Sequence, residues 1–490
     1  VTDMVFKDVN TRILEINSKT GLYPLYMAYS VFAEKLKDYR DSHMLATDVP
    51  VDIQNQIWDN VLKDNIFVIC KTEMAKSITK RTLRGFRQAK VNARYFEDLI
   101  NKITNQSDMF IKKMHDGKNY WNNDELEEYM KFNAVVGNPP YQVSFEKGTS
   151  KDSDSKATAI YPYFMDIAVA LKPSYVSLIT PSRWMTRAGQ GIKNNWVDKY
   201  LGSNHFMKMH DFLNAQSCFE GVDIKGGVNY FILSPSYVGK CNYYLHSGNM
   251  VTEKDDYLDS IGAGIVLRDV MAPHIIAKIA TVEGDYISKK SFSSLVSTKD
   301  FYTTHDSLTS SWNQYSLETD NEHCVKLYLN KKLEDRGYAW IKKSDISKNI
   351  DSVKYHKVYF PEAAGSGNDP YVIGKTFYGE PGSVCSQTYM IVGCYGDLKT
   401  EEECLNVISY MKTRFFRYIV SINKKTQHTP RDVFKFVPIL DFSKPWTDEE
   451  LYAKYNLSSD EIAYIESMIK PMPQDKLFDD ASTLDPNYGS

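Results

Sequence analysis

The segment that most constrains this chain is Phe132–Tyr141, FNAVVGNPPY, an apolar run that ends in glycine and passes directly into Asn138-Pro139-Pro140-Tyr141. A short, continuous apolar run bounded by glycine and proline reads as a strand buried on both faces. Two consecutive prolines fix two φ angles and remove two backbone donors, so the chain must leave the sheet as a stiff turn. Four more runs have the same character: Arg12–Ile16, Ile66–Cys70, Tyr175–Ile179 and Val228–Leu233. Helical stretches are expected between them, one from Leu22 to Tyr39 and a basic one from Met74 to Gln88. This alternation predicts an open α/β sheet with a mostly parallel core over residues 1–240. In such sheets ligands bind outside the carboxyl ends of the strands, which is where Asn138–Tyr141 would lie.

Composition narrows the class. A chain of 490 residues with 42% hydrophobic and 25% charged residues can form two or three domains. The net charge of -3 means that a nucleic-acid surface would have to be a local basic patch. The seven cysteines (70, 218, 241, 324, 385, 394 and 404) form no CxxC pair, so neither a zinc site nor a disulfide framework is expected. A reducing cytoplasm is the simplest compartment. The sequence has no apolar run of membrane-spanning length and no visible signal peptide. Because it begins at Val1 and enters a strand-like segment almost at once, its start reads as a cut. Residues 142–157 are polar and read as a mobile loop, and 471–490 as a fraying tail.

The residue types at the turn suit one kind of chemistry. An amine conjugated to a purine ring is a poor nucleophile because its lone pair is delocalised. Acceptors placed on its two N–H groups favour the pyramidal, nucleophilic form. The amide oxygen of Asn138 and the carbonyl of Pro139 can be those acceptors, and the prolines hold them in place. Tyr141 offers a flat face for base stacking, worth roughly 1–3 kcal/mol.

At these residues the chain resembles the adenine-specific amino-methyltransferases of restriction–modification systems, in the order where the cofactor motif precedes the catalytic motif and target recognition comes last. The resemblance runs from about Ile13 to Met472. FNAVVGNPPY is similar to the catalytic motif without departure. Ile13–Gly21, ILEINSKTG, is similar to the cofactor loop, with Glu15 as the acid, Asn17 in the turn and Gly21 as the last glycine; Lys19 stands where a glycine is common. The resemblance implies S-adenosylmethionine as cofactor, held by Glu15, Asn17, Gly21, Asp98 and Asn138. It also implies an acid at the end of the second strand, but the chain there reads Ile69-Cys70-Lys71, with no acid before Glu73. Tyr161–Asp166 resembles the helix after the catalytic loop, and Ser177–Pro181 with Arg183 the next strand end. Gly226–Phe231, GGVNYF, resembles the segment whose aromatic packs on the target base, which points to Tyr230.

The implied fold is a Rossmann-like class I methyltransferase domain over 1–240 and a connecting region over 241–300. A mixed α+β target-recognition domain would follow over 301–472, with a flexible tail at 473–490. The implied partner is double-stranded DNA, whose target base must be extruded to react. Val384–Trp446 looks like the C-terminal part of methylases with fused specificity domains. Within it Lys412, Arg414, Arg417, Lys424, Lys425 and Arg431, interleaved with Phe415, Phe416 and Tyr418, are expected to contact phosphates. Related single-chain enzymes carry nuclease or helicase modules ahead of the methylase, so one is expected upstream of Val1. Two alternatives stay open at this point: a methyltransferase acting on protein glutamine or on RNA, and a specificity subunit that has lost the cofactor.

Overall fold

The computed structural model describes residues 5–45, 48–121, 123, 126–143, 158–187, 189, 191–333, 336–364, 370–424 and 426–472. The polar loop and the tail expected from the sequence lie almost wholly outside these residues. The chain divides into two compact units, Val1–Val266 and Leu267–Ser490.

The first unit is built on one nine-stranded sheet. Its strands in chain order are β1 (Ile13–Ser18), β2 (Ile66–Cys70), β3 (Asn92–Tyr95), β4 (Ala134–Gly137), β7 (Tyr175–Pro181), β8 (Phe206–Phe212), β9 (Val228–Leu233), β10 (Cys241–Ser247) and β11 (Met250–Asp256). A separate two-stranded ribbon, β5 (Gln142–Val143) with β6 (Thr158–Ala159), stands after β4. The spatial order is β11-β10-β8-β9-β7-β4-β1-β2-β3. β3, β2, β1, β4 and β7 are mutually parallel, and β9 runs against both of its neighbours. The mostly parallel α/β sheet expected from the alternating runs is therefore present.

All residues of β1 and β2 are buried, which is why both read as unbroken apolar runs. Each large aliphatic side chain so buried contributes roughly 1.5–3 kcal/mol. Helices α1 (Leu22–Ser42), α2 (Val51–Asp64) and α3 (Glu73–Arg84) pack with these strands; α1 contributes Met27, Ala28 and Val31, α2 Val61 and Leu62, and α3 Leu83. Thr72 caps α3 by accepting from the Ala75 amide, and Gly85, at φ 60°, ends it. Four further helices complete the unit: α4 (Leu99–Asn105), α5 (Ser107–His115), α6 (Tyr161–Ala170) and α7 (Asn194–Ser203).

Two features differ from expectation. β10 and β11, in the stretch expected to be a connecting region, extend the first sheet, and the unit boundary falls after Val266 rather than near 240. β3 and β8 were not foreseen. β8 alternates buried and half-buried residues, FMKMHDF, because only one of its faces is covered.

The second unit carries α8 (Ala272–Glu283), α9 (Tyr286–Lys289) and strands β12 (His323–Leu333), β13 (Arg336–Lys342), β14 (Lys357–Pro361), β15 (Phe377–Gly379), β16 (Ser383–Cys385) and β17 (Tyr389–Val392). They form two small sheets, β13-β12-β16 and β15-β14-β17. Helices α10 (Glu401–Lys412), α11 (Arg414–Asn423), α12 (Asp448–Lys454) and α13 (Ser459–Met468) follow. Among the described residues no helix is long and apolar enough to cross a membrane.

A Cβ on Gly137, the last residue of β4, would lie 2.6 Å from the Ile16 carbonyl oxygen of β1. Gly137→Ala should therefore destabilise the protein by about 1–3 kcal/mol. Gly202→Ala, in α7 where a Cβ meets nothing within 4 Å, should be neutral or stabilising by up to about 1 kcal/mol. Urea unfolding of both variants checks the contrast, and equal stabilities would refute it.

Candidate functional site

From β1 the chain steps outward to β2 and then β3, and from β4 it continues on the other side through β7. The strand order thus reverses between β1 and β4, and a crevice opens at such a point, outside the carboxyl ends of the two strands. The turns that leave these strands meet there. The Asn17 side-chain amide donates to the Asn138 carbonyl oxygen at 2.9 Å. At the far end of the turn, the Ile160 amide donates to the Tyr141 carbonyl at 3.1 Å. The Asn138–Tyr141 turn is therefore held at both ends. Pro139 is buried, while Asn138, Pro140 and Tyr141 are half-buried. The Tyr141 hydroxyl is enclosed without a hydrogen-bond partner, and burial drives its pKa up.

On β1, Glu15 is 2% exposed and its Oε2 has no hydrogen-bond partner. Burial pushes its pKa up to about 7 against a smaller opposing hydrogen bond from Ser18. At the irregular end of β1 and in the loop after it, the left-handed backbone falls on Asn17 and Gly21, both at φ 78°, and not on Lys19. Asparagine and glycine tolerate that region. The exposed Lys19 therefore strains nothing, although a glycine was expected there. Gly21 is further required because a Cβ would meet Thr79 Cα of α3 at 2.9 Å.

The rim on the β2–β3 side is plainer. β2 ends at the buried Cys70, whose thiol donates to Thr79 Oγ1 at 3.6 Å, and Glu73 is paired with Lys76 at 2.8 Å. Asp98 is exposed just beyond β3, at the N-cap of α4 with φ 53°, and its side chain makes no capping hydrogen bond.

Tyr230 is half-buried on β9, opposite Ile179 of β7 and His210 of β8. Its ring stacks on His210 with centroids 4.7 Å apart, and His210 stacks in turn on Tyr244 at 4.4 Å. His210 also shares a hydrogen bond of 3.0 Å with His246. Burial first, then Lys208 and His246, lower the His210 pKa to about 4, so the ring behind Tyr230 is neutral. The hydroxyl pKa values of Tyr23, Tyr141 and Tyr230 are all raised, by burial first and then by the same neighbour, Cys218. Tyr23 also feels Glu15. Cys218 is thus a shared neighbour of Tyr23, Tyr141 and Tyr230, and the sequence reading singled out neither Tyr23 nor Cys218. Tyr23 could have been found, because it lies two residues after the loop glycine on the first turn of α1.

The basic residues of the second unit behave differently from expectation. Arg417 is completely buried, and its guanidinium donates to the carbonyls of Lys412, Thr413 and Lys470. Lys424 is 3% exposed and donates to the carbonyls of Ala364 and Val372. Neither can reach a phosphate without leaving its acceptors unsatisfied in the core, so both are withdrawn as DNA contacts. The cause is α11 itself, which buries Phe415, Phe416, Tyr418, Ile419, Val420 and Ile422 as well. Arg414 is paired with Glu466 at 2.8 Å, and Arg431 donates to the Ser293 carbonyl at 2.7 Å. Lys412 is half-buried, and Lys425 lies outside the described residues. Among the described residues no cluster of three or more His, Cys, Asp or Glu could hold a metal ion.

Residues 64–219 match the Eco57I restriction-modification methylase family. That stretch contains β2, β4 and the Asn138–Tyr141 turn, and it lies between Glu15 and Tyr230. An uncharacterized adenine-specific methylase of Mycoplasma pneumoniae is 34% identical over 149 residues, which cover 28% of this chain and 34% of the relative. The chain thus spans about a third of that relative's length. Among solved structures, the type IIL restriction-modification enzyme MmeI in complex with DNA aligns over 94% of this chain and 68% of its own, with 9% identity and a TM-score of 0.47. The type IIG restriction endonuclease BpuSI aligns over 95% and 59%, with 10% identity and a TM-score of 0.37. The resemblance carried by FNAVVGNPPY is therefore found by comparison as well.

Because Arg417 serves the core, Arg417→Gln should cost about 2–4 kcal/mol in unfolding free energy and leave the salt dependence of DNA binding unchanged. A stable variant whose binding has lost salt dependence would restore Arg417 as a phosphate contact.

Proposed function

We propose that this chain is a DNA adenine methyltransferase of a restriction–modification system, acting on duplex DNA with S-adenosylmethionine. The observation that carries the reading is the Asn138-Pro139-Pro140-Tyr141 turn at the sheet's reversal point, tied to the β1 loop by Asn17. The match of residues 64–219 to a restriction-modification methylase family and the adenine-specific relative support it.

The residues on β1 fit the cofactor. Glu15 has a buried carboxylate oxygen without a partner, which suits a hydroxyl or amine donor from a bound ligand. The left-handed Asn17 and Gly21 curve the backbone beside it. Asp98, exposed and free of capping duty, is available for the adenosine end. The cofactor supplies an already activated methyl group; the protein supplies position and electrostatics. Asn138 Oδ1 and the Pro139 carbonyl accept from the target amine and pyramidalise it. Tyr141 and Tyr230 flank the extruded base, with His210 stacked behind Tyr230. The second unit is read as the target-recognition domain. Among the original candidates Lys412, Arg414, Lys425 and Arg431 are retained as contacts to DNA.

Incubation with labelled S-adenosylmethionine and duplex DNA, followed by digestion to nucleosides, should place the label on adenine; label confined to protein or RNA would end this reading. Asn138→Ala should lower the transfer rate by at least about 100-fold while leaving duplex binding within about twofold, since it removes an acceptor needed in the transition state. Wild-type rates in that variant would remove the amide from the mechanism.

Glu15 gives a pH signature. Its folded-state pKa of about 7 lies above the ordinary 4.5, so the folded protein holds a proton that the unfolded chain releases. Without ligand, stability should fall as pH rises from 4.5 to 7, by at most about 3 kcal/mol. Cofactor binding, which uses the ionised carboxylate, should tighten over the same range with release of a proton. Calorimetric titration in buffers of different ionisation heat reads that proton. In Glu15→Gln it should vanish, and proton release persisting there would point to another group.

A further inference from the structure

Withdrawing Arg417 and Lys424 leaves open where a chain of net charge -3 holds a polyanion, and the first unit offers a surface. Between residues 71 and 94 stand Lys71, Lys76, Lys80, Arg81, Arg84, Arg87, Lys90 and Arg94, with Glu73 the sole acid. Glu73 pairs with Lys76, and Arg87 with Asp59. Among the described residues no carboxylate pairs with Lys80, Arg81, Arg84 or Arg94.

The fold concentrates these charges. Lys76, Lys80 and Arg84 recur every fourth residue and so form one row along α3. Arg94 is on β3, the edge strand of the sheet, which also packs beside α3. Burial, followed by the like charges of Lys76, Arg94 and Arg84, lowers the Lys80 pKa, as expected for cations crowded on one face. Aromatic rings are interleaved with them. The Arg81 guanidinium lies 3.6 Å from the ring centroid of Phe86, which is 87% exposed just past the end of α3. Lys76 lies 5.0 Å from the ring centroid of Tyr95, itself 36% exposed.

Like charges crowded on one row with Glu73 as their only near counter-charge oppose folding, and a phenylalanine left 87% exposed buries little apolar area. Both become favourable against a surface that pairs regular negative charge with flat apolar faces. From Lys76 to Arg84 the row is roughly 12 Å long, a length over which duplex DNA carries roughly seven phosphates. We propose that Lys76, Lys80 and Arg84 of α3, with Arg81, Arg94 and the Phe86 ring, form a surface that contacts the phosphate backbone of duplex DNA. This rests on the reading of DNA as the substrate. The surface contacts no base edges by this argument, so it contributes affinity and orientation rather than sequence choice.

The test is duplex binding by the full chain, read by fluorescence anisotropy across a salt series. In K80Q/R81Q/R84Q the slope of log affinity against log salt should be shallower by about 2.7, one step of about 0.9 for each of the three phosphates no longer neutralised. K80R/R84K, which keeps the charges, should retain the original slope. F86A should weaken binding with the slope unchanged. Thermal unfolding of each variant confirms that it is folded. An unchanged slope in the folded triple variant, or no duplex binding by the unaltered chain, overturns the proposal. Methyl transfer by the unaltered chain is scored separately. A changed slope without methyl transfer sinks the methylation reading alone, and methyl transfer with an unchanged slope sinks this surface alone.

Discussion

A close backbone approach joins β4 to β1, where no side-chain atom fits between Gly137 and the Ile16 carbonyl. The contact between the β1 end and the Asn138–Tyr141 turn inherits its position from that approach. With the strands so near, the loop after β1 and the turn after β4 come within reach of one hydrogen bond, from Asn17 to the Asn138 carbonyl. That bond is worth only about 1 kcal/mol net. Its importance is geometric, because it occupies the Asn138 main-chain oxygen and leaves the side-chain amide for other work. The same approach brings the buried Glu15, two residues before Asn17, to the neighbourhood of the turn.

How much of this could be read in advance depended on how each strand is covered. β2 and β9 occupy the residues expected of them, and β1 and β4 nearly so, because all four are largely apolar runs, β1 and β2 buried throughout. β8 and β10 escaped notice because one face of each is half open; His210, Phe212, Tyr244 and His246 alternate with buried neighbours and look like loop composition. β3, with only Asn92 and Ala93 buried, gives almost no periodicity. The turn chemistry of Asn138–Tyr141 was legible because proline and glycine act locally. Tyr230 was reached through the GGVNYF resemblance, whereas Tyr23 and Cys218 were not, because they join those residues only through the tertiary fold.

The basic residues teach the opposite lesson. Arg417 and Lys424 sit among aromatic residues, a pattern that suits phosphate binding when it faces water. In α11 the same pattern faces inward, and the cations satisfy backbone carbonyls that loops leave behind. Lys357 does likewise from the first residue of β14, bonded to the Ser383 carbonyl, with burial lowering its pKa to about 8. Sequence records that a charge is present; only the direction of its helix face decides whether solvent ever meets it. α3 differs because its apolar side is narrow, limited to Thr79 and Leu83 as buried residues, and its cations are left on the rim.

The ring stack behind Tyr230 has one more implication. His210 takes up a proton only near pH 4, so through the neutral range it serves as an uncharged spacer between two phenols. The β8–β9 stack therefore carries no imidazolium charge through the neutral range, while Lys208 lies 4.8 Å from the Tyr244 ring centroid beside it. The stack behind Tyr230 thus keeps its charge across the neutral range, while the Glu15 carboxyl on β1 exchanges a proton near pH 7.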